Sequence, residues 1–186
     1  AVYRKILNYQ YDAEIIRASS QTFGSAVAYT TPMGYLIGDA DVGAVYRYTY
    51  NADANTYALD QAITNDTSFG SYISYAEDLF VISEPTSATP KVYVYQLITT
   101  TLVDNIDPYQ TINAPGAVTD WGSATAISGD QNWLYISDTG NARVYAYRKS
   151  TLTDLYENVG YISVAGLTSV DNFGYSISTD YYGDTV

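Results

Sequence analysis

The chain of 186 residues holds no cysteine and no histidine, which excludes disulfides, thiolate and imidazole metal sites and histidine-based catalytic triads. Its formal charge of −12 repels phosphate backbones and anionic lipid, so neither nucleic-acid binding nor membrane insertion is expected. Twenty-two tyrosines stand beside four phenylalanines, a mix that suits pleated surfaces buried on one side and wet at the edge and favours an all-β class.

The chain begins at Ala1 and its single methionine is Met33, which points to a processed product or a piece of a longer chain. No apolar run approaches the roughly 18 residues of a membrane helix. Residues 1–22 are expected to be the end of a partial unit, because Ala1–Arg4 resembles a marker that recurs further on. A full unit follows at 23–68, opening on FGSAVAY from Phe23, with YLIGDA from Tyr35 and VYRY from Val45. The next, 69–120, opens on FGSYISY from Phe69 and carries LFVISEP from Leu79 and VYVY from Val92. The third, 121–172, opens on WGSATAIS from Trp121 and carries WLYISDT from Trp133 and VYAY from Val144. FGYSIST from Phe173 starts a last partial unit, 173–186. The openings recur 46, 52 and 52 residues apart, and the Val-Tyr marker follows its opening by 22, 23 and 23 residues.

Each unit reads as four short strands. In the second these are Ser71–Tyr75, Leu79–Ser83, Val92–Leu97 and a stretch within Asp107–Asn113, separated by turn-forming residues. In the third they are Thr125–Ser128, Leu134–Ser137, Val144–Arg148 and Val159–Val164, and Asp180–Val186 is expected to stop inside a second strand. Four strands with a period of 40–50 residues match one blade of a β-propeller. The expected fold is all-β: four-stranded antiparallel blades, about three complete, with partial blades at both ends. One blade cannot bury both faces alone, and radial stacking buries face against face. The glycines Gly24, Gly70, Gly122 and Gly174 are expected to allow a turn or a close approach between blades. Their partners Phe23, Phe69, Trp121 and Phe173 are expected to fill the gap between blades. Phe173–Val186 joined to Ala1–Ile16 would close a ring of four, and a fragment of a larger ring is the preferred reading.

The pattern resembles the FG-GAP repeat family of integrin α-chain propellers and of bacterial and phage surface proteins. Phe23-Gly24, Phe69-Gly70, Trp121-Gly122 and Phe173-Gly174 match the first element, and Ile37–Ala40 and Ile82–Pro85 stand where Gly-Ala-Pro would be. The ending FGYSISTDYYGDTV is similar to repeats of tailed-phage structural proteins. The family's calcium loops do not carry over, because the connections Thr30–Gly34, Glu77-Asp78 and Gly129–Asn132 lack enough oxygen ligands in a row.

Asp39 and Asp41 are the densest carboxylate pair, with Asp53 beyond them and Asp104 and Asp107 posing the same question. A hydrated rim turn is preferred to a metal loop in each case, and no metal or other cofactor is implied. Asp138–Asn141 reads as a turn. The four glutamates, Glu14, Glu77, Glu84 and Glu157, read as solvated charges at turns or strand ends, so no glycosidase-like carboxylate pair is expected. Tyr46 and Tyr48, Tyr93 and Tyr95, and Tyr145 and Tyr147 sit two apart, so each pair shares a strand face. Packing between blades is preferred, with an aromatic ladder for sugar or protein as the alternative. Tyr9, Tyr11, Tyr181 and Tyr182 are weaker candidates. The expected function is a noncatalytic binding or assembly module of an extracellular, cell-surface or virion structural protein. Its partners would be a protein or surface glycan, with flanking repeats or other structural subunits. A lectin-like propeller and a carboxylate hydrolase are the alternatives.

Overall fold

The computed structural model describes residues 15, 17, 20–30, 34–97, 107–116, 118 and 120–186. The strand marker at Ala1–Arg4, the ring closure through Ala1–Ile16, and Tyr9, Tyr11, Glu14 and Asp104 fall on or depend on residues outside that set. Twelve strands are formed among the described residues, and the helical content is two three-residue 3-10 turns. They make three four-stranded antiparallel sheets, each in simple sequence order. The first holds β1 (Phe23–Thr30), β2 (Gly34–Asp39), β3 (Ala44–Asn51) and β4 (Thr56–Thr64). The second holds β5 (Tyr72–Ala76), β6 (Leu79–Glu84), β7 (Lys91–Gln96) and β8 (Gln110–Asn113). The third holds β9 (Trp121–Ile127), β10 (Trp133–Asp138), β11 (Arg143–Lys149) and β12 (Tyr156–Ile162). These sheets are the blades of a β-propeller, called A, B and C in chain order below.

The alternation of each third strand divides a blade into two apolar faces. The rear face of blade B carries Phe80, Ile82, Tyr93 and Tyr95, and it packs with Phe69 onto Leu36, Val45 and Ile63 of blade A. The rear face of blade C carries Leu134, Ile136, Tyr145 and Tyr147, and it packs with Trp121 onto Val81, Val92, Val94 and Ile112 of blade B. Each opening aromatic thus sits between blades. It also meets its own tyrosine pair edge-on: Phe69 lies 5.4 Å from Tyr93, and Trp121 lies 5.1 Å from Tyr145. Phe69 and Trp121 are both fully buried.

The same turn enters every unit. Ser25, Ser71, Ser123 and Tyr175 each donate a backbone hydrogen bond to the residue three before, Thr22, Ser68, Asp120 and Asn172, at 2.8–3.1 Å. Inside it the opening glycine takes a left-handed φ of +80° to +91°. At the blade interfaces that glycine also has no room for a side chain. A Cβ on Gly122 would lie 3.0 Å from Val92 Cγ2 and 3.1 Å from Ser83 Cβ. A Cβ on Gly174 would lie 2.8 Å from Val144 Cγ2 and 3.2 Å from Ser137 Cβ. The valine that opens each Val-Tyr marker is therefore the surface on which the next unit's glycine rests.

Two sequence expectations are corrected. The fourth strand of blade C starts at Tyr156 and ends at Ile162, not Val159–Val164. The pairing jumps from Ala146 with Gly160 to Tyr147 with Asn158, so Val159 is an extra, bulged residue that breaks the alternation. Asp60 does the same in blade A, between the pairs Arg47 with Gln61 and Tyr48 with Leu59. Second, Asp180–Val186 is not a strand. It makes the hydrogen bond that opens one, Asp180 N–H to Thr185 C=O at 3.3 Å, matching Ser128 N–H to Trp133 C=O at 2.9 Å in blade C. An isolated two-stranded ribbon is marginal in water, and no third strand supports this one among the described residues.

Substituting Gly122 with Ala combines a left-handed alanine, about 1–2 kcal/mol, with overpacking of about 1–3 kcal/mol. Gly24→Ala is expected to have the backbone term alone, because no described residue lies within 4 Å of its Cβ position. Urea unfolding is expected to rank Gly122→Ala well below Gly24→Ala in stability. Equal losses would show that the interlock contributes nothing.

Candidate functional site

The first strands β1, β5 and β9 approach one another at the inner ends of the blades, and Tyr175–Ile177 follows in the position of a fourth. Between them lies an open pocket of about 270 Å³, at the lower edge of small-molecule pockets. Ser25, Ala26 and Val27 line it from β1, Tyr72 and Ile73 from β5, Ala124 and Thr125 from β9, and Tyr175, Ser176 and Ile177 from the last unit. Among the described residues the lining carries hydroxyls and apolar groups and no carboxylate, ammonium or guanidinium. Ser25 Oγ donates to Gly70 C=O at 3.0 Å, and Ser74 and Thr125 share a hydrogen bond of 3.1 Å from β5 to β9. Burial raises the pKa of the Tyr72 phenol, with Tyr175 and Asp120 adding to the effect. The pocket suits a neutral, polyhydroxylated ligand that stacks on tyrosine and exchanges hydroxyl hydrogen bonds.

The six marker tyrosines are placed elsewhere. Tyr46, Tyr48, Tyr93, Tyr95, Tyr145 and Tyr147 are only 2–8% exposed and form the rear faces of their blades. They make no ladder that a sugar or a partner protein could reach. Burial raises the pKa of Tyr95 and Tyr147, and burial together with Glu84 raises that of Tyr93. Tyr181 and Tyr182 are exposed, and Tyr181 packs its ring against Gly129 while its carbonyl accepts from Asp130 N–H at 2.8 Å.

The carboxylates correct two sequence readings, those of Asp39 and Glu84. Asp39 is fully buried rather than a hydrated rim residue. It accepts hydrogen bonds from the Ser20 and Thr22 hydroxyls, the latter at 2.9 Å, and its Oδ2 has no partner among the described residues. Asp41 is exposed and contributes only its N–H, donated to Thr22 Oγ1 at 2.8 Å, so the two carboxylates do not converge on a cation. Asp53 lies on the separate β3–β4 turn, where its N–H is held by Asn51 Oδ1 at 3.0 Å. Glu84 is buried, not solvated, and accepts from Tyr93 Oη at 2.8 Å. Asp138 is fully buried and accepts from Asn141 Nδ2 at 2.9 Å, with Oδ1 unpartnered and its pKa raised by desolvation. Glu77, Asp107 and Glu157 are exposed.

Asp39, Glu84 and Asp138 all close the second strand of a blade. The signal was present: the markers from Tyr35, Leu79 and Trp133 each bring an acid after the apolar run. The dry carboxylate ties the strand end to turn residues at Asp39 and Asp138 and to Tyr93 of β7 at Glu84. No group of three or more acidic side chains is poised to hold a metal ion among the described residues.

No family model and no curated protein sequence matches the chain. Solved structures do. A protein of unknown function from Desulfotomaculum acetoxidans superposes with a TM-score of 0.59 at 13% identity, over 83% of this chain and 45% of that one. A protein from Lactobacillus plantarum gives 0.59 at 14% identity, over 80% and 44%. A proposed 6-phosphogluconolactonase from Bacteroides uniformis gives 0.57 at 14% identity, over 75% and 40%. The chain spans less than half the length of each, and the likeness establishes the fold.

On the rim, Gln131 of blade C donates to Ala76 C=O at 2.9 Å and to Asp78 Oδ1, bridging blades B and C. Hydrogen bonds from Gln96 and Gln131 hold the Asp78 carboxyl below the usual range. A lowered carboxyl stabilises the fold above its unfolded pKa, near ~3.9, and that contribution is lost as pH falls below it. Gln131→Ala is expected to raise the Asp78 pKa in an NMR titration and to cost about 1 kcal/mol at pH 7. An unmoved Asp78 would mean that the bridge does not form in solution.

Proposed function

We propose that this propeller is a noncatalytic binding or assembly module of an extracellular, cell-surface or virion structural protein, built from FG-GAP-like repeats. The observation that carries this reading is the commitment of the repeated residues to the frame, which leaves the exposed rim turns for recognition. The repeated aromatics, glycines and tyrosines are committed to packing between blades, and the buried carboxylates to strand ends. What remains for recognition is a hydroxyl-lined pocket and the exposed turns of the rim, an arrangement in which a rigid frame carries variable loops. The aromatic-glycine pairs with their shared entry turn support the FG-GAP reading.

A lectin-like role is the second reading, favoured by Tyr72 and Tyr175 in the pocket wall. The hydrolase reading draws on the proposed 6-phosphogluconolactonases from Bacteroides uniformis and Bacteroides fragilis among the structural neighbours. Such a substrate carries a phosphate, and among the described residues the pocket lining offers no cation to hold it and no carboxylate to act as a base. The superposition on longer structures favours a larger ring over a closed ring of four. Blades in a ring of four turn by about 90° each, those in a ring of seven by about 50°.

A glycan array and a lactonase assay on the same sample separate the readings. The assembly reading expects no lactone hydrolysis above the buffer blank, and any partner captured through the rim should bind Tyr72→Ala and Tyr175→Ala as well as wild type. Glycan binding lost by roughly tenfold or more in those variants would establish the lectin-like role instead. Hydrolysis that tracks the protein through purification would overturn the noncatalytic assignment.

A further inference from the structure

Three carboxylates stand at the end of β7 away from the Gly122 seat, and each has both oxygens taken as acceptors. Asp78, on the β5–β6 turn of blade B, accepts from Gln96 Nε2 at 3.0 Å on Oδ2 and from Gln131 Nε2 of blade C on Oδ1. Asp154, on the β11–β12 turn of blade C, accepts from Tyr109 Oη of blade B at 2.7 Å on Oδ2 and pairs with Lys149 Nζ at 3.3 Å through Oδ1. Asp130 accepts from Ser128 Oγ at 2.6 Å on Oδ1 and from Asn132 Nδ2 at 2.7 Å on Oδ2, which fixes the turn that carries Gln131. Neutral contacts run beside them. The Gln110 side chain of blade B accepts from Tyr156 N–H at 2.8 Å and donates to Tyr156 C=O at 2.9 Å, and Tyr156 Oη donates to Gln131 C=O at 2.7 Å. Lys149 is the cation acting on Asp78 and Asp154, Tyr109 and Tyr156 are the neighbouring phenols, and Glu157 accepts from Thr153 Oγ1 at 3.2 Å on the same turn. The buried acids at the other end of the blades differ. Asp39 Oδ2 and Asp138 Oδ1 have no partner among the described residues, so either can take a proton without giving up a hydrogen bond. A protonated Asp78, Asp130 or Asp154 must turn one oxygen from acceptor to donor, and the group that faced it loses its place.

We propose that Asp78, Asp130 and Asp154 form an acid-released latch, which frees one end of the junction between blades B and C while the Gly122 seat at the other end stays closed. Hydrogen bonds from Gln96 and Gln131 hold Asp78 below the usual carboxyl range, and the Tyr109 hydroxyl and then Lys149 do so for Asp154. At Asp130 burial pulls upward, and the bonds from Ser128 and Asn132 outweigh it. All three are lowered in the fold, so the latch is shut above the unfolded carboxyl pKa of ~3.9 and is lost as pH falls through the folded values. Asp78 and Asp154 come from different blades and share the charge of Lys149, so protonation at one weakens the hold on the other. The bonds from Gln110 to Tyr156, Gln131 to Ala76 C=O and Tyr109 to Asp154 C=O involve no charge and persist, which makes release an opening equilibrium rather than a rupture. Opening bares Tyr156 and Leu79, which are 3% and 2% exposed in the closed junction, and so turns an apolar seam into accessible surface in acid.

The test is an NMR titration of the whole chain from about pH 7 to about pH 3, with isotope-labelled carboxyls followed in the same samples. The latch is read from the exchange protection of the Tyr156 amide, corrected for the intrinsic pH dependence of exchange. The seat is read from the NOE between Gly122 and the Val92 methyls. Tyr156 protection is expected to fall roughly tenfold or more as Asp78 and Asp154 titrate, with the Gly122–Val92 NOE kept. Asp78→Asn, which leaves one acceptor oxygen for two amide donors, is expected to lower Tyr156 protection already at neutral pH. Asp138→Asn, at a carboxylate with a free oxygen, should leave Tyr156 protection and its pH midpoint in place. Tyr156 protection that survives the titration of all three carboxyls overturns the proposal. So does loss of that protection and of the Gly122–Val92 NOE together in the wild-type chain, since acid would then unfold the whole molecule and not one end of a junction.

Discussion

The arrangement of blades depends on one close approach: the backbone of an aromatic-glycine pair lying against the valine that opens the preceding Val-Tyr strand. Only a residue without a Cβ fits there, and only glycine adopts the left-handed φ at small cost. The glycine's tight seat lets the neighbouring aromatic enter the space between two sheets. The aromatic in turn meets the tyrosine pair of its own blade, so a single contact fixes spacing, rotation and order from blade to blade. Hydrophobic burial then follows from geometry already set, with Leu36, Val45 and Ile63 facing Phe80, Ile82 and the Tyr93–Tyr95 pair.

That constraint also shapes what is left for function. Side chains that repeat in phase are used by the frame, and binding falls to positions where the units differ. The inner segments show this: Ala26, Tyr72, Ala124 and Ser176 each stand three residues after the opening aromatic of their unit but present different groups to the central pocket. Recognition is thus written in departures from the repeat, while the repeat itself holds the blades together.

The fold class was legible because three markers recur in fixed order, and each marker lies in or opens a strand of its blade. Boundaries were less so where a residue is inserted in a pairing. Val159 and Asp60 bulge out of the fourth strands, and a reading by strict alternation shifts the strand by several residues. The carboxylates were misread for another reason. Composition makes an acid solvated by default, yet Asp39 and Glu84 close their second strands, as Asp138 does at its turn, in a dry position that a single occurrence does not reveal. The central pocket was not legible at all, since its walls come from four units and its chemistry is that of ordinary serines, threonines and tyrosines.

The two tryptophans fall on different interfaces. Trp121 is fully buried between blades B and C, and its indole N–H has no partner among the described residues, an apolar setting that favours short-wavelength emission. Trp133 stacks on Tyr135 at the front of blade C, half-buried beside Gly183. Replacing either with phenylalanine leaves a single tryptophan, excited apart from the 22 tyrosines at long wavelength, so each tryptophan is a separate optical reporter, Trp121 for the junction of blades B and C and Trp133 for the front face of blade C. Whether these two sites melt as one or in sequence becomes a matter of comparing two emission curves.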